Sequence, residues 1–257
     1  MSLKLLSFDV WDTLIIDDSD EIYRSENGLP TKKQERIKLY LQTYSAIGSF
    51  SNDEILNAIN LMHEEFNELW KIKHQTPTVR WRLNHIEKTL GKNQGKPLIL
   101  AENIKTKLIR ELEDMELKYP ILAMPGIKSF LENWKKYYPE IPLAIVSDAI
   151  YSPGRSIRMI LEKLELLEYF SYFAFSDEVG ASKPSQKVFN FIRKQAGVSP
   201  EEIIHVGDRY VNDIDGPKNF GAMGILCQVN KSDSAPENGT LYFKNYSELI
   251  EVIKEYL

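Results

Sequence analysis

From residue 123 onward the sequence alternates between two kinds of segment, and this alternation constrains the fold most. IPLAIVSD (141–148), YFAFSD (172–177), IIHVGD (203–208) and MGILCQV (223–229) are short and apolar nearly throughout. Between and before them lie amphipathic stretches: 127–137, SPGRSIRMILEKLEL, SQKVFNFIRKQAG and a short helix near 215–220. Apolar strands indicate a sheet covered on both faces, and intervening helices indicate βαβ units. The pattern predicts an α/β fold with a parallel sheet. A further apolar run at residues 4–10 supplies one more strand near the start.

After that first strand the periodicity changes. From Thr31 to about Tyr119 only helical patterns occur. In SNDEILNAINLMHEEFNELWKIK, the residues Ile55, Ile59, Met62, Phe66 and Leu69 recur at helical spacing. Ser51 with Glu54 forms a capping box at its start. A second helix is expected after Thr76-Pro77, stopping at Gly91, and a third over AENIKTKLIRELEDMELK. The chain therefore divides into an α/β core, residues 1–16 and 121–257, and an all-helical second domain, residues 17–120. NKSDSAPENGT, 230–240, reads as a polar loop.

The chain has 257 residues, 43% of them hydrophobic, enough for a substantial core. A net charge of −5 argues against nucleic acid as a partner, since phosphate backbones select basic surfaces. No run reaches the length of a membrane span, and Asp9 and Asp12 interrupt the opening apolar stretch, so it does not read as a signal peptide. The single cysteine, Cys227, allows no internal disulfide and fits a cytoplasmic setting and a core position. The sequence sets no oligomeric state.

Ligand sites of parallel sheets lie at the carboxyl ends of the strands. Here those ends carry Asp9, then Ser147-Asp148, then Gly207-Asp208 with Asn212 and Asp213 just beyond; Lys183 follows in GASKPS. Converging carboxylates repel one another, and a divalent cation relieves that repulsion; oxygen ligands suit magnesium.

FDVWDTL, VSDA, GASKP and VGDRYVNDIDG, in that order, resemble the four motifs of the haloacid dehalogenase superfamily of hydrolases. The resemblance covers about the first sixteen residues and the region from about 121 onward. It implies a Rossmann-like core with a helical cap inserted after the first strand. It also implies a phosphatase of a small phosphate ester or anhydride, using Mg2+ and an aspartyl-phosphate intermediate. In that reading Asp9 is the nucleophile, and Ser147 and the backbone near Asp148 hold phosphoryl oxygens. Lys183 neutralises charge, and Thr13 orients the intermediate. Asp9, the Trp11 carbonyl and Asp208 hold the metal, with Asp213 and Asn212 supporting it from outside.

One position departs from the pattern. Most phosphatases of this superfamily carry an aspartate two residues after the nucleophile, as general acid and base. Trp11 stands there instead, and Asp12, one step further, points elsewhere along an extended chain. Superfamily dehalogenases also lack that acid, so a metal-free 2-haloacid dehalogenase is one alternative. A catalytically weak binding protein on the same fold is another. Tyr151, Arg155 and Arg209 near strand ends, and Arg80 and Trp81 in the helical segment, are candidate substrate contacts, although helix packing or solvated charge explains most such residues. His63, His74, His85 and His205 show no metal-ligand spacing and read as structural.

Overall fold

A computed structural model describes residues 2–230 and 239–257. In chain order the elements begin with β1 (Leu5–Phe8). Five helices follow: α1 (Ser19–Glu26), α2 (Lys32–Ile47), α3 (Asn52–Asn67), α4 (Val79–Asn93) and α5 (Glu102–Glu113). The alternation then starts with α6 (Ile127–Tyr137), β2 (Leu143–Ser147), α7 (Gly154–Lys163), β3 (Phe170–Phe175), α8 (Ser176–Val179) and α9 (Gln186–Ala196). It ends with β4 (Ile203–Gly207), α10 (Gly216–Phe220), β5 (Met223–Cys227), β6 (Tyr242–Phe243) and α11 (Tyr246–Ile253).

Among the described residues, six strands form one parallel sheet in the order β3-β2-β1-β4-β5-β6. Every residue of β1, β2 and β4 is buried, which explains their unbroken apolar character. Apolar clusters cover both faces: Phe8, Ile145 and Val206 face one, and Leu5, Val146 and Ile203 the other. Strand β1 lies between β2 and β4, so the chain order reverses beside it. The carboxyl ends of these three strands thus flank the crevice where such sheets bind ligands.

The helical insertion has its own apolar cluster, built from α2 to α5 around Tyr44, Met62, Leu83 and Leu112. Ile150 and Tyr151, just past β2, pack against it. Helices α2, α3 and α4 start at side-chain caps, with capping boxes at Thr31/Gln34 and Ser51/Glu54. Among the described residues, no helix is long and apolar enough to cross a membrane.

Three expectations need correction. Helix α4 runs through Gly91 to Asn93. A Cβ at Gly91 would lie 2.8 Å from the Lys96 carbonyl, so this glycine allows the returning chain to pack closely. The helix expected to span 51–73 stops at Asn67, and a π-helical turn, Glu68–Ile72, follows. Helix α1 precedes the expected helical region, and its buried face is polar, with Asp20 and Arg24, so hydrophobic periodicity could not reveal it. Most of the expected polar loop at 230–240 lies outside the described residues.

Candidate active site

Asp9 directly follows β1, Asp148 follows β2 and Asp208 follows β4. Asp9 Oδ1 lies 3.0 Å from Lys183 Nζ, and that ammonium also reaches Asp213 Oδ1 at 2.5 Å. Asp213 is fully buried against β4 because Gly207 has no side chain; a Cβ there would meet the Asp213 carboxyl carbon at 2.3 Å. Asp213 also receives the Arg209 backbone N–H at 2.9 Å and faces His205 Nε2 at 3.1 Å. Ser7 Oγ lies 2.9 Å from His205 Nδ1. An ionised Asp213 needs a donor at Nε2, so a neutral His205 bears its proton there and accepts at Nδ1 from Ser7.

The charges divide sharply. Burial opposes the ionised form of Asp213, but Lys183 and His205 outweigh it and hold this carboxyl well below its usual range. Burial likewise opposes the charge on Lys183, yet Asp213 and Asp9 hold its ammonium well above its usual range. Asp208 lacks such partners. Burial, then repulsion from Asp9, pushes it up to about 7. Burial also raises Asp148, to about 6, against the attraction of Lys183.

Carboxylate oxygens of Asp9, Asp208 and Asp213 all lie within 4.8 Å of one another. Asp208 Oδ1 is buried with no hydrogen-bond partner, as are Ser147 Oγ and Thr13 Oγ1. Buried polar atoms left unpaired at adjacent strand ends are costly unless a ligand completes them. The donor set, all hard oxygen, fits a small divalent cation, which Asp9 and Asp208 could hold.

A cavity of about 190 Å³ opens over these strand ends. Asp9, Trp11, Asp148, Tyr151, Lys183 and Arg209 line it from the sheet side. Lys32, Arg36 and Glu116 line it from the helical segment and its return. Arg36 donates to Glu116 at 2.9 Å and stacks on the Tyr151 ring at 4.0 Å. The volume is small against the roughly 300–1,000 Å³ of drug-sized pockets, and fits a small metabolite.

Three candidates lie elsewhere. Arg80 pairs with Glu102 on the surface, at 2.7 Å. Trp81 packs against the rings of Phe66 and His85. Arg155 binds Glu113 at 2.7 Å and Asp114 at 2.8 Å. None of the three lines the cavity. The face of α4 toward the core carries Arg82 instead, which donates to the Ile150 carbonyl at 3.0 Å and stacks on Tyr151 at 4.0 Å. Asp12 is buried in a left-handed turn, φ 52°, and accepts from the Asp17 N–H and Asn230 Nδ2, away from the cavity lining.

Sequence reasoning missed Lys32, Arg36 and Glu116, because charged residues on a helix look solvated until a partner surface is placed against them. It also read His205 as merely structural. A lone polar residue inside the apolar run IIHVG was the available signal, since a buried imidazole requires partners.

A family model described as haloacid dehalogenase-like hydrolase matches residues 3–221. A glyceraldehyde 3-phosphate phosphatase of Pyrococcus furiosus is 34% identical over 127 residues, 49% of this chain and 49% of its own. The match thus spans about half the length of that relative. A 2-haloacid dehalogenase from Pseudomonas syringae pv. tomato superposes with a TM-score of 0.67 at 18% identity, over 99% of this chain and 100% of its own. A HAD phosphatase from Thermococcus onnurineus gives 0.59 at 19% identity, over 98% of each chain. At such identities the two structures are alike in fold.

Proposed function

Because this chain belongs to the haloacid dehalogenase-like hydrolases, we propose that it is a magnesium-dependent phosphatase of a small phosphorylated metabolite, with residues 17–120 as its cap. The observation that carries this reading is the Asp9–Asp208–Asp213 cluster, with unpaired Ser147 and Thr13 hydroxyls at the same strand ends. A metal-free displacement of halide has no use for Asp208, half-buried beside Asp9 with its Oδ1 unpaired.

Asp9 is the nucleophile: its carboxylate oxygen bonds to phosphorus as the bond to the leaving oxygen breaks. Lys183, ionised and within 3.0 Å of Asp9, offsets the charge on the phosphoryl oxygens. Ser147 Oγ–H donates to one of those oxygens. Asp213 and His205 hold Lys183 in place from below. Water then attacks phosphorus, releasing phosphate and regenerating Asp9, with Thr13 orienting the intermediate. Asp9, the Trp11 carbonyl and Asp208 would hold magnesium, which when bound would supply positive charge to the transferring group. Trp11 leaves the position of the usual acid without a proton donor, which favours acyl and activated phosphates as substrates.

The similarity to a glyceraldehyde 3-phosphate phosphatase and the small cavity support a short phosphorylated metabolite. A cytoplasmic setting is supported by the lone Cys227, buried, its thiol pushed up to about 12 by that burial. The test is a screen of phosphate esters and anhydrides with magnesium or EDTA, alongside haloacids. Phosphate release that needs magnesium and is lost in Asp9→Asn supports the reading. Halide release in EDTA overturns it.

A further inference from the structure

The helical segment touches the sheet-end loops at a point that the reaction outlined above does not use. Trp70 lies in the π-helical turn after α3. Such turns interrupt regular helices most often where function requires an altered direction. The indole Nε1–H of Trp70 donates to Asp148 Oδ2 at 3.4 Å. The same oxygen accepts from Asn212 Nδ2 at 3.3 Å, and Asp148 Oδ1 accepts the backbone N–H of Lys183 at 2.9 Å. Beside this, the Ser182 N–H donates to the His74 carbonyl at 2.9 Å, and Ser182 Oγ lies 3.5 Å from the Trp70 carbonyl. One stretch of the helical segment, 70–74, is thus bonded both to the residue before Lys183 and to the carboxylate that anchors Lys183 itself.

We propose that Trp70 is a positioning residue for Lys183, acting through Asp148. The inference rests on Lys183 being the catalytic cation. Trp70 does not line the cavity, so it has no contact with substrate of its own. Asp148 and Lys183 do line it. Asp148 therefore joins three parts of the molecule: the helical segment through Trp70, the loop after β4 through Asn212, and the Lys183 loop through its amide. Seating of the helical segment over the cavity and order in the Lys183 loop become one event. With Trp70 seated, the Lys183 backbone is fixed while its ammonium spans Asp9 and Asp213. Without the Trp70 indole, Asp148 keeps two donors, and the Lys183 loop is held to the helical segment only by the contacts of Ser182 with the His74 and Trp70 carbonyls.

The test uses the full chain with magnesium and inorganic phosphate. Trp70→Phe keeps an aromatic ring against Phe66, whose centroid lies 6.4 Å from that of Trp70, and removes the N–H together with the rest of the pyrrole ring. Losing a hydrogen bond to a charged acceptor is worth about tenfold or more. Hydrogen exchange at the Ser182 and Lys183 amides should therefore accelerate about tenfold, with α4 amides unchanged. Turnover of p-nitrophenyl phosphate should show kcat reduced by about tenfold and KM within about twofold, since Trp70 touches no substrate. Asp148→Ala, which removes the shared acceptor, should accelerate the same amides. The double variant should exchange no faster than Asp148→Ala alone, because both changes break one junction. Unchanged exchange in either single variant, or multiplicative effects in the double variant, overturns the proposal. If the wild type hydrolyses no phosphate ester while the exchange pattern appears, the coupling stands and the phosphatase reading falls.

Discussion

Asp9 and Trp11 lie two residues apart, and the proposed chemistry turns on both. Asp9, the proposed nucleophile, is buried with its carboxylate beside Lys183. Asp9→Asn should abolish turnover with the circular dichroism spectrum unchanged; turnover at the wild-type rate sinks the mechanism. Trp11 is half-buried in the cavity lining, where an acid would protonate the departing oxygen. General acid catalysis typically contributes about 10²–10⁴-fold, or roughly 3–5 kcal/mol of barrier. An alkoxide needs that proton, whereas p-nitrophenolate or a carboxylate hardly does. In wild type, kcat/KM should therefore fall steeply as the leaving-group pKa rises. Trp11→Asp should flatten this dependence, with a folding control because the smaller side chain leaves a void. Asp12→Asn should leave the slope unchanged, since Asp12 is engaged by Asp17 and Asn230. A slope that steepens in Asp12→Asn would make Asp12 the acid.

At the scale of elements, the β4 carboxyl end and the turn after it build the anionic half of the site. Gly207 ends β4, and the chain re-enters through a π-helical turn, Tyr210–Asp215, which returns Asp213 beneath the strand end. The return is tight: a methyl group on Gly207 would overlap the Asp213 carboxyl. Gly207→Ala should destabilise the protein by about 1–3 kcal/mol, the usual range for overpacking a buried site. It should also lower kcat, because Asp213 can no longer hold Lys183 where Asp9 needs it. Urea unfolding gives the first quantity and steady-state kinetics the second. Loss of stability with kcat intact would separate Asp213 from catalysis. The motif VGDRYVND was legible in the sequence as chemistry. Its geometry was not, because a π-helical turn has no hydrophobic period to read.

The whole molecule carries an electrostatic strain that a cation should relieve. Asp208, pushed up to about 7 by burial and by Asp9, binds its proton more tightly in the folded chain than in the unfolded one. Its contribution to stability is therefore fully present below its ordinary value near 3.8 and is lost as pH rises through about 7. In EDTA, Tm should carry a component that falls across that window, and Asp208→Asn should remove it. Magnesium should raise Tm more at pH 7 than at pH 5, where it competes with the proton, and Asp208→Asn should blunt this response. An equal magnesium shift in both proteins removes Asp208 from the metal site. The sequence by itself determined the parallel sheet, because alternating strand and helix periods leave few other folds. It also determined which residues reach the strand ends: Asp9, Ser147, Asp148 and Asp208 each end or follow an apolar run, and a carboxylate within a strand buried on both faces would need a partner there. Only the tertiary structure decided what faces them. Arg82 rather than Arg80 or Trp81 meets the core, because a step of one residue turns a helical side chain by about 100° and packing selects the angle. Lys32, Arg36 and Trp70 reach the cavity wall or its neighbouring loops across long sequence separations, and no local pattern records such contacts.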